Sequence, residues 1–525
     1  MALIQKAFSD IITFSRSSNA TRVGPTGLVE YAPHNLILRS QELGNASWSS
    51  FQAAVTSNTV AAPDGTVTAD TIAATASPYG VQFQSVSATV GIVHTFSIYA
   101  KAGTVSSVII GITDSGTDYA VVANLSNGTI NTPVAGSSAT ISSVGNGWYR
   151  VTLTRTGNIG SSINGFTGPY ASSGSAHFWG AQLSVGPYAL DYTPTTSAAV
   201  YGPRFDYDPV TLAARGLLIE EQRTNQALYS AQFDNATWSK SGISVTANSV
   251  VSPDGTVTAS TITATTANGD IYLATGGTAG TYTASVYVRR KTGTGQLQWV
   301  TLDGGRTNVT QTISSTSWTR INYPSTGTLT NNYFGLRIVV SGDEFYVWGA
   351  QLEAGSFATS YIPTVASSVT RSADVASVNT LSPWYNATTG TLYTEFDSIG
   401  FRSNNNEIAR FNNGTVSNQM GIAATGTPAP TFEVTSGGVD QAAITGSAIS
   451  ANTTYKAAAS FAANSFAFSF GGSLVGTDTS GTVPTVSALT LMNRSDNARA
   501  MNGHLRRLAF YPRSLTTAEM NALTA

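Results

Sequence analysis

The stretch "HFWGAQLSVGPYALDYTPT" at residues 177–195 returns, little altered, as "FYVWGAQLEAGSFATSYIPT" at residues 345–364. Two further pairs keep the same order along the chain. "NLILRSQELGNASW" (35–48) answers "NQALYSAQFDNATW" (225–238), and "APDGTVTADTI" (62–72) answers "SPDGTVTASTI" (252–262). Matches in one order over this distance mark a domain-scale duplication. Trp48 and Trp238 lie 190 residues apart but Trp179 and Trp348 only 169 apart, so the second copy is 21 residues shorter. The loss falls after the Pro-Asp-Gly turn, where loops are free to change length. The copies are placed at 35–200 and 225–370, joined by a connector at 201–224. An N-terminal irregular attachment segment (1–34) and a third unit (371–525) complete the chain.

Within these segments the local pattern is that of strands. In "SFAFSFGG", Phe466, Phe468 and Phe470 alternate with Ala467 and Ser469, and "TLYTEFD" sets Leu392 and Phe396 opposite Tyr393 and Glu395. A period of two gives one buried face and one wet face. Turn clusters such as "PDGT", "SNGT" and "TSGG" separate runs rich in Thr, Val and Ile, which predicts an all-β protein of packed sheets. One helix is expected, in "SLTTAEMNALTA", where Thr516 and Glu519 fit the N-cap and N3 places of a capping box.

Composition narrows the function classes. Only 10% of the 525 residues are charged and the formal net charge is -2, which leaves no basic field to gather nucleic acid phosphates. No apolar run approaches the roughly 18 residues of a membrane span. Lys6 and Asp10 interrupt "MALIQKAFSDIITF", which is therefore read as no secretory signal. The chain has no Cys, so disulfides, thiolate metal sites and cysteine nucleophiles are absent.

Catalytic patterns are equally sparse. The four His, at 34, 94, 177 and 504, show no ligand spacing, and no "GxSxG" elbow occurs. The densest acidic spots, Asp206 with Asp208 and Glu220 with Glu221, fall in the connector "RFDYDPVTLAARGLLIEEQRT". There their expected role is ordering, by hydrogen bonds to backbone and to Arg204 or Arg223. Phe205, Leu217, Leu218 and Ile219 give the same connector enough apolar surface to lie against its neighbours. Six tryptophans recur in both copies, namely Trp48, Trp148, Trp179, Trp238, Trp318 and Trp348, and are assigned to the structural core. Aromatics without a counterpart, Tyr79, Tyr119, Tyr170 and Trp299, are the candidates for stacking on sugar rings.

The pattern "S-Q-x-x-x-N-A-S-W", Pro-Asp-Gly-Thr, "FSIYAKAG", "GWYRV" and "WGAQLE…YIPT" resembles jelly-roll modules of bacteriophage virion proteins of the tail-fibre and head-spike class. Those modules are similar in turn to carbohydrate-binding modules. The resemblance spans roughly residues 12 to 370. Residues 384–525, with "GTLYTEF" and "GHLRRLAFYPRSLTTAEMNALT", look like a concanavalin A-like sandwich of the laminin-G type. The resemblance implies tandem jelly rolls followed by that sandwich. It implies a non-enzymatic structural protein of the virion, made in the bacterial cytoplasm, which binds host surface polysaccharide. Its partners would be that glycan and other virion proteins, with neither nucleic acid nor membrane insertion. It would be a homo-oligomer, and fibres of this kind are commonly trimers. A depolymerase acting on capsule or lipopolysaccharide and a purely architectural adaptor are the alternatives. No cofactor is implied. A structural calcium ion stays open, with Asp64 and Asp254 as the turn carboxylates able to donate oxygens.

Overall fold

Alternating β-branched and small residues form antiparallel strands throughout the computed structural model. It describes residues 8–525 apart from 158, 276–279, 302, 326–331, 403–405, 426–427, 495 and 497. The expectation of no leader over 1–14 therefore rests partly outside the described residues. Two compact units are present, Tyr31–Gly202 and a larger one made of Pro203–Ala525 with the chain up to Glu30.

In the first unit eight strands follow in sequence: Ala69–Ala74, Val81–Ser87, His94–Ala102, Ser107–Asp114, Thr117–Asn124, Trp148–Arg155, Ser162–Pro169 and Gly174–Val185. One sheet has the order first, eighth, third, sixth, and the other the order second, seventh, fourth, fifth. That double Greek key is a jelly roll. Ala53–Val60 and Ser137–Gly145 flank the former sheet, and Ser49–Phe51 and Thr129–Ile130 the latter.

The second copy repeats the order with Ala259–Ala264, Gly269–Thr275, Tyr282–Thr292, Leu297–Val300, Arg306–Asn308, Thr319–Ser325, Asn332–Ile338 and Glu344–Ala354. Trp179 and Trp348 occupy matching places in the eighth strand. Each indole N–H donates to a threonine hydroxyl, Thr68 at 3.0 Å and Thr258 at 3.1 Å. Their rings lie 4.7 Å from Tyr192 and 4.6 Å from Tyr361. Trp48 and Trp238 are likewise buried, each donating to a carbonyl at 3.2 Å. Trp148 and Trp318 differ. Trp148 is buried beside the flanking strand Ser137–Gly145, whereas Trp318 is only half-buried, under the Arg289 guanidinium at 5.2 Å. Among the described residues the shorter second copy has no strand beyond Thr319–Ser325 in that sheet.

The C-terminal part is a two-sheet antiparallel sandwich of the concanavalin A-like class, with Phe396, Phe411, Phe432, Phe461 and Phe468 in its core. The chain ends in the helix Thr517–Thr524, capped by the reciprocal Thr516–Glu519 hydrogen bonds and docked through its Met520 onto Tyr393 and Ala458. Both sheets recruit strands from outside 371–525. Thr13–Ser15 pairs with Val375–Val378, and the hairpin Arg204–Tyr207 with Ala214–Ile219 pairs onto Gly503–Tyr511. Residues 8–34 are thus not simply irregular, and the connector expected to be ordered is a hairpin of that sheet. Its Leu217, Leu218 and Ile219 are buried, while Phe205 stays on the surface against the edge of Phe8 at 5.1 Å.

A buried ion network fastens these recruited pieces. Arg16 Nη1 lies 2.8 Å from Asp374 Oδ1, Arg204 Nη1 2.6 Å from Glu220 Oε2, and Arg371 Nη1 2.9 Å from the same oxygen. Arg204 also pairs with Asp374. None of the five side chains is exposed. Burial pushes the Glu220 carboxyl up, but Arg371 and Arg204 more than offset that and hold it well below the usual carboxylate range.

Nearby, His504 is buried between two carboxylates, with Nδ1 2.7 Å from Asp397 Oδ1 and Nε2 3.0 Å from Asp206 Oδ2. Burial disfavours the imidazolium, yet hydrogen bonds to Asp206 and Asp397 raise its pKa above the ordinary 6.5. A raised folded-state pKa stabilises below the unfolded value, and that stability is lost as pH rises through the folded one. Thermal unfolding of the larger unit should therefore occur at lower temperature at pH 8 than at pH 6, and His504→Gln should flatten that slope. A slope left unchanged by the substitution would contradict the assignment.

Candidate binding face

The second sheet of the first jelly roll has one face in the core and one outward, and pairing in register puts partners on the same side. Phe51, Val81, Gly168, Ile109 and Val122 form one row across the outward face. Phe83, Phe166, Gly111 and Ala120 form the next, followed by Ser85, Asn164, Thr113 and Asp118. Val81, Ile109 and Phe166 make a small apolar cluster of their own, separate from the main core. Gly111 is required beneath Phe166, because a Cβ there would stand 2.2 Å from its ring.

These side chains floor a groove of about 280 Å³ lined by Phe51, Tyr79, Val81, Phe83, Phe166 and the polar trio Thr113, Asp118 and Asn164. A ladder of rings stands at one end: Phe51 lies 6.4 Å from Tyr79, which stacks on Tyr170 at 6.1 Å. Phe51 is 49% exposed and Tyr170 42%. At the other end the rim is hydrogen-bonded, Thr113 Oγ1 donating to Asp118 Oδ1 at 2.7 Å and Ser85 Oγ to Asn164 Oδ1 at 2.6 Å.

Of the four aromatics chosen from sequence, the structure brings Tyr79 and Tyr170 together here. The other two are corrected. Trp299 is 1% exposed and belongs to the core of the second jelly roll, between Tyr323 and Phe334. Tyr119 points to the inner side of its sheet, packs on the core and has its ring covered by the Arg155 guanidinium at 3.9 Å. Phe51, Phe83 and Phe166 were missed by sequence reasoning. The alternation in "YGVQFQS" carries the signal for Phe83, but placing all three on one outer face needs the strand order.

The same face of the second copy is built differently. Register pairing makes Ser241, Asp270, Arg337 and Gln298 the counterparts of Phe51, Val81, Gly168 and Ile109, and Gly335 the counterpart of Phe166. Asp270 is held there by Arg337 at 2.8 Å and Arg306 at 2.5 Å. The second copy keeps rings only farther along this face, with Tyr272 at the place of Phe83 and Tyr333 at that of Asn164, 5.5 Å apart edge to face, and has none at the place of Phe51.

The acidic residues considered for catalysis are engaged elsewhere. Asp206 faces His504, Asp208 pairs with Arg215 at 2.7 Å, Glu220 sits in the ion network, and Glu221 pairs with Arg223 at 2.5 Å and Arg402 at 3.1 Å. Asp64 and Asp254 close their own turns, each accepting from the hydroxyl of the threonine two residues on at 2.7 Å. Among the described residues no three His, Asp or Glu side chains gather as a cation site.

Comparison with known proteins found no matching family model and no matching curated protein. Solved structures with related folds include the CBM40 of the Ruminococcus gnavus IT-sialidase bound to α2,3-sialyllactose, at 14% identity, covering 27% of this chain and 84% of that one, with a TM-score of 0.24. The tandem CBM22 domains of Paenibacillus barcinonensis Xyn10C match at 12% identity over 62% of this chain and 98% of theirs, with a TM-score of 0.23. Domains LG4-5 of the mouse laminin α1 chain match at 11% identity over 49% and 92%, with a TM-score of 0.20. At such values the assignment of fold rests on strand order, and the chain is identified as two jelly rolls followed by a concanavalin A-like sandwich.

Proposed function

We propose that this protein binds saccharide without breaking it, on the outer aromatic face of its first jelly roll. The observation that carries the reading is the ring set of exposed Phe51 and Tyr170 with half-buried Tyr79 between them, beside a polar rim, on a face where the duplicate copy has Ser241 and Asp270. Large rings kept in water without a packing reason mark an interaction surface, and sugars present flat C–H faces that such rings cover. In line with the sequence resemblance, the protein is placed in a phage fibre or spike that attaches to host surface polysaccharide. Many shallow sites on one oligomeric particle would then act together. The buried ion network favours a second, architectural role for the larger unit. Affinity electrophoresis through gels containing host polysaccharides tests the reading. Retardation without release of reducing ends is expected. Sustained release of oligosaccharide, abolished by one Asp or Glu substitution, would replace it with a depolymerase, and free migration in every gel would leave only the architectural role.

A further inference from the structure

The groove on the first jelly roll has a charge character that bears on what it accepts, and the inference rests on the saccharide-binding reading. Among the described residues its lining holds one carboxylate, Asp118, and no Arg, Lys or His. Arg155, in the same sandwich, is committed to Asp114 at 3.3 Å, the Gly136 carbonyl at 3.0 Å and the face of Tyr119. Asp118 uses Oδ1 to accept from Thr113, and Asn164 uses its carboxamide oxygen to accept from Ser85. The rim thus presents a carboxylate acceptor and an amide donor beside a flat apolar floor. Hydroxyl groups match both, whereas a ligand carboxylate would meet Asp118 with no cation to compensate.

The fold is able to put cations on this face, as Arg306 and Arg337 in the second copy demonstrate. In the first copy the equivalent of Arg337 is Gly168. We infer that the groove selects uncharged saccharides, whose vicinal hydroxyls donate to Asp118 while the ring lies on Phe83, backed from beneath by the buried Phe166, and that it discriminates against sugars carrying carboxylates.

The test uses the full chain on a printed panel of bacterial surface polysaccharides, each acidic polymer present both as isolated and after chemical reduction of its carboxylates to alcohols. Reduced and naturally neutral polymers should bind on the order of fivefold more tightly than the acidic forms, the weight of two like charges about 4 Å apart in water. Asp118→Asn should close most of that gap. Acidic and reduced forms bound equally, with binding still lost in Phe51→Ala/Tyr79→Ala, would overturn the charge selection and leave the binding site standing. Binding indifferent to Phe51→Ala/Tyr79→Ala, or binding to no polymer, would remove the site and the selection together.

Discussion

Replacing Glu220 by Ala is expected to lower the unfolding free energy of the larger unit by about 3–5 kcal/mol, the cost of removing one partner from a buried ion network. Glu220 Oε2 serves Arg204 at 2.6 Å and Arg371 at 2.9 Å, and its carboxylate also accepts from the Ser360 backbone N–H and hydroxyl, both at 2.7 Å. Without it Asp374 alone faces Arg16, Arg204 and Arg371, so buried positive charge is left unmatched. Equilibrium denaturation at neutral pH is the measurement. The carboxyl is held low, so its contribution is present above the ordinary value of 4.5 and fades as pH falls toward the folded-state value. The difference between wild type and variant should therefore shrink in acid. A loss below about 1 kcal/mol at neutral pH would mean that water reaches the network and screens it.

Trp299→Ala should cost a comparable amount, about 3–5 kcal/mol, because it empties a large volume from a closed core. Its matched position in the first copy is Ile110, which pairs with Thr167 as Trp299 pairs with Leu336. The surrounding residues change too. Where the second copy combines Trp299, Phe334 and Ala284, the first combines Ile110, Gly165 and Phe96, and a Cβ on Gly165 would stand 2.8 Å from the Phe96 ring. The phenylalanine moves between strands, from Phe334 to the place of Phe96, while Trp299 fills volume that the first copy does not have. A Trp299→Ala variant as stable as wild type would show that the ring is not in the core.

That exchange explains why part of the site was legible in the sequence and part was not. The duplication, the strand alternation and the terminal capping box are local or periodic signals, and they lead to the sandwich architecture directly. An aromatic with no aromatic counterpart, by contrast, has two physical origins. At Tyr79 and Tyr170 it is an addition on an outer face, and at Trp299 it is part of a repacked core; one-dimensional comparison does not separate them. The short strands Thr13–Ser15 and Arg204–Tyr207 escape notice for another reason, since three or four residues are too few to show a period. Their charges were visible, but the pairing of Arg16 with Asp374 spans 358 positions and is set by the tertiary fold.

The central claim is that the outer rings of the first jelly roll hold saccharide, and titration calorimetry of host polysaccharide against wild type and Phe51→Ala/Tyr79→Ala tests it most directly. Both rings line the groove and Phe51 is half exposed, so their loss should change stability by no more than about 1 kcal/mol. Affinity should fall at least about tenfold, as for removal of central aromatic contacts in a binding surface. A folded double variant that binds as tightly as wild type would contradict the account.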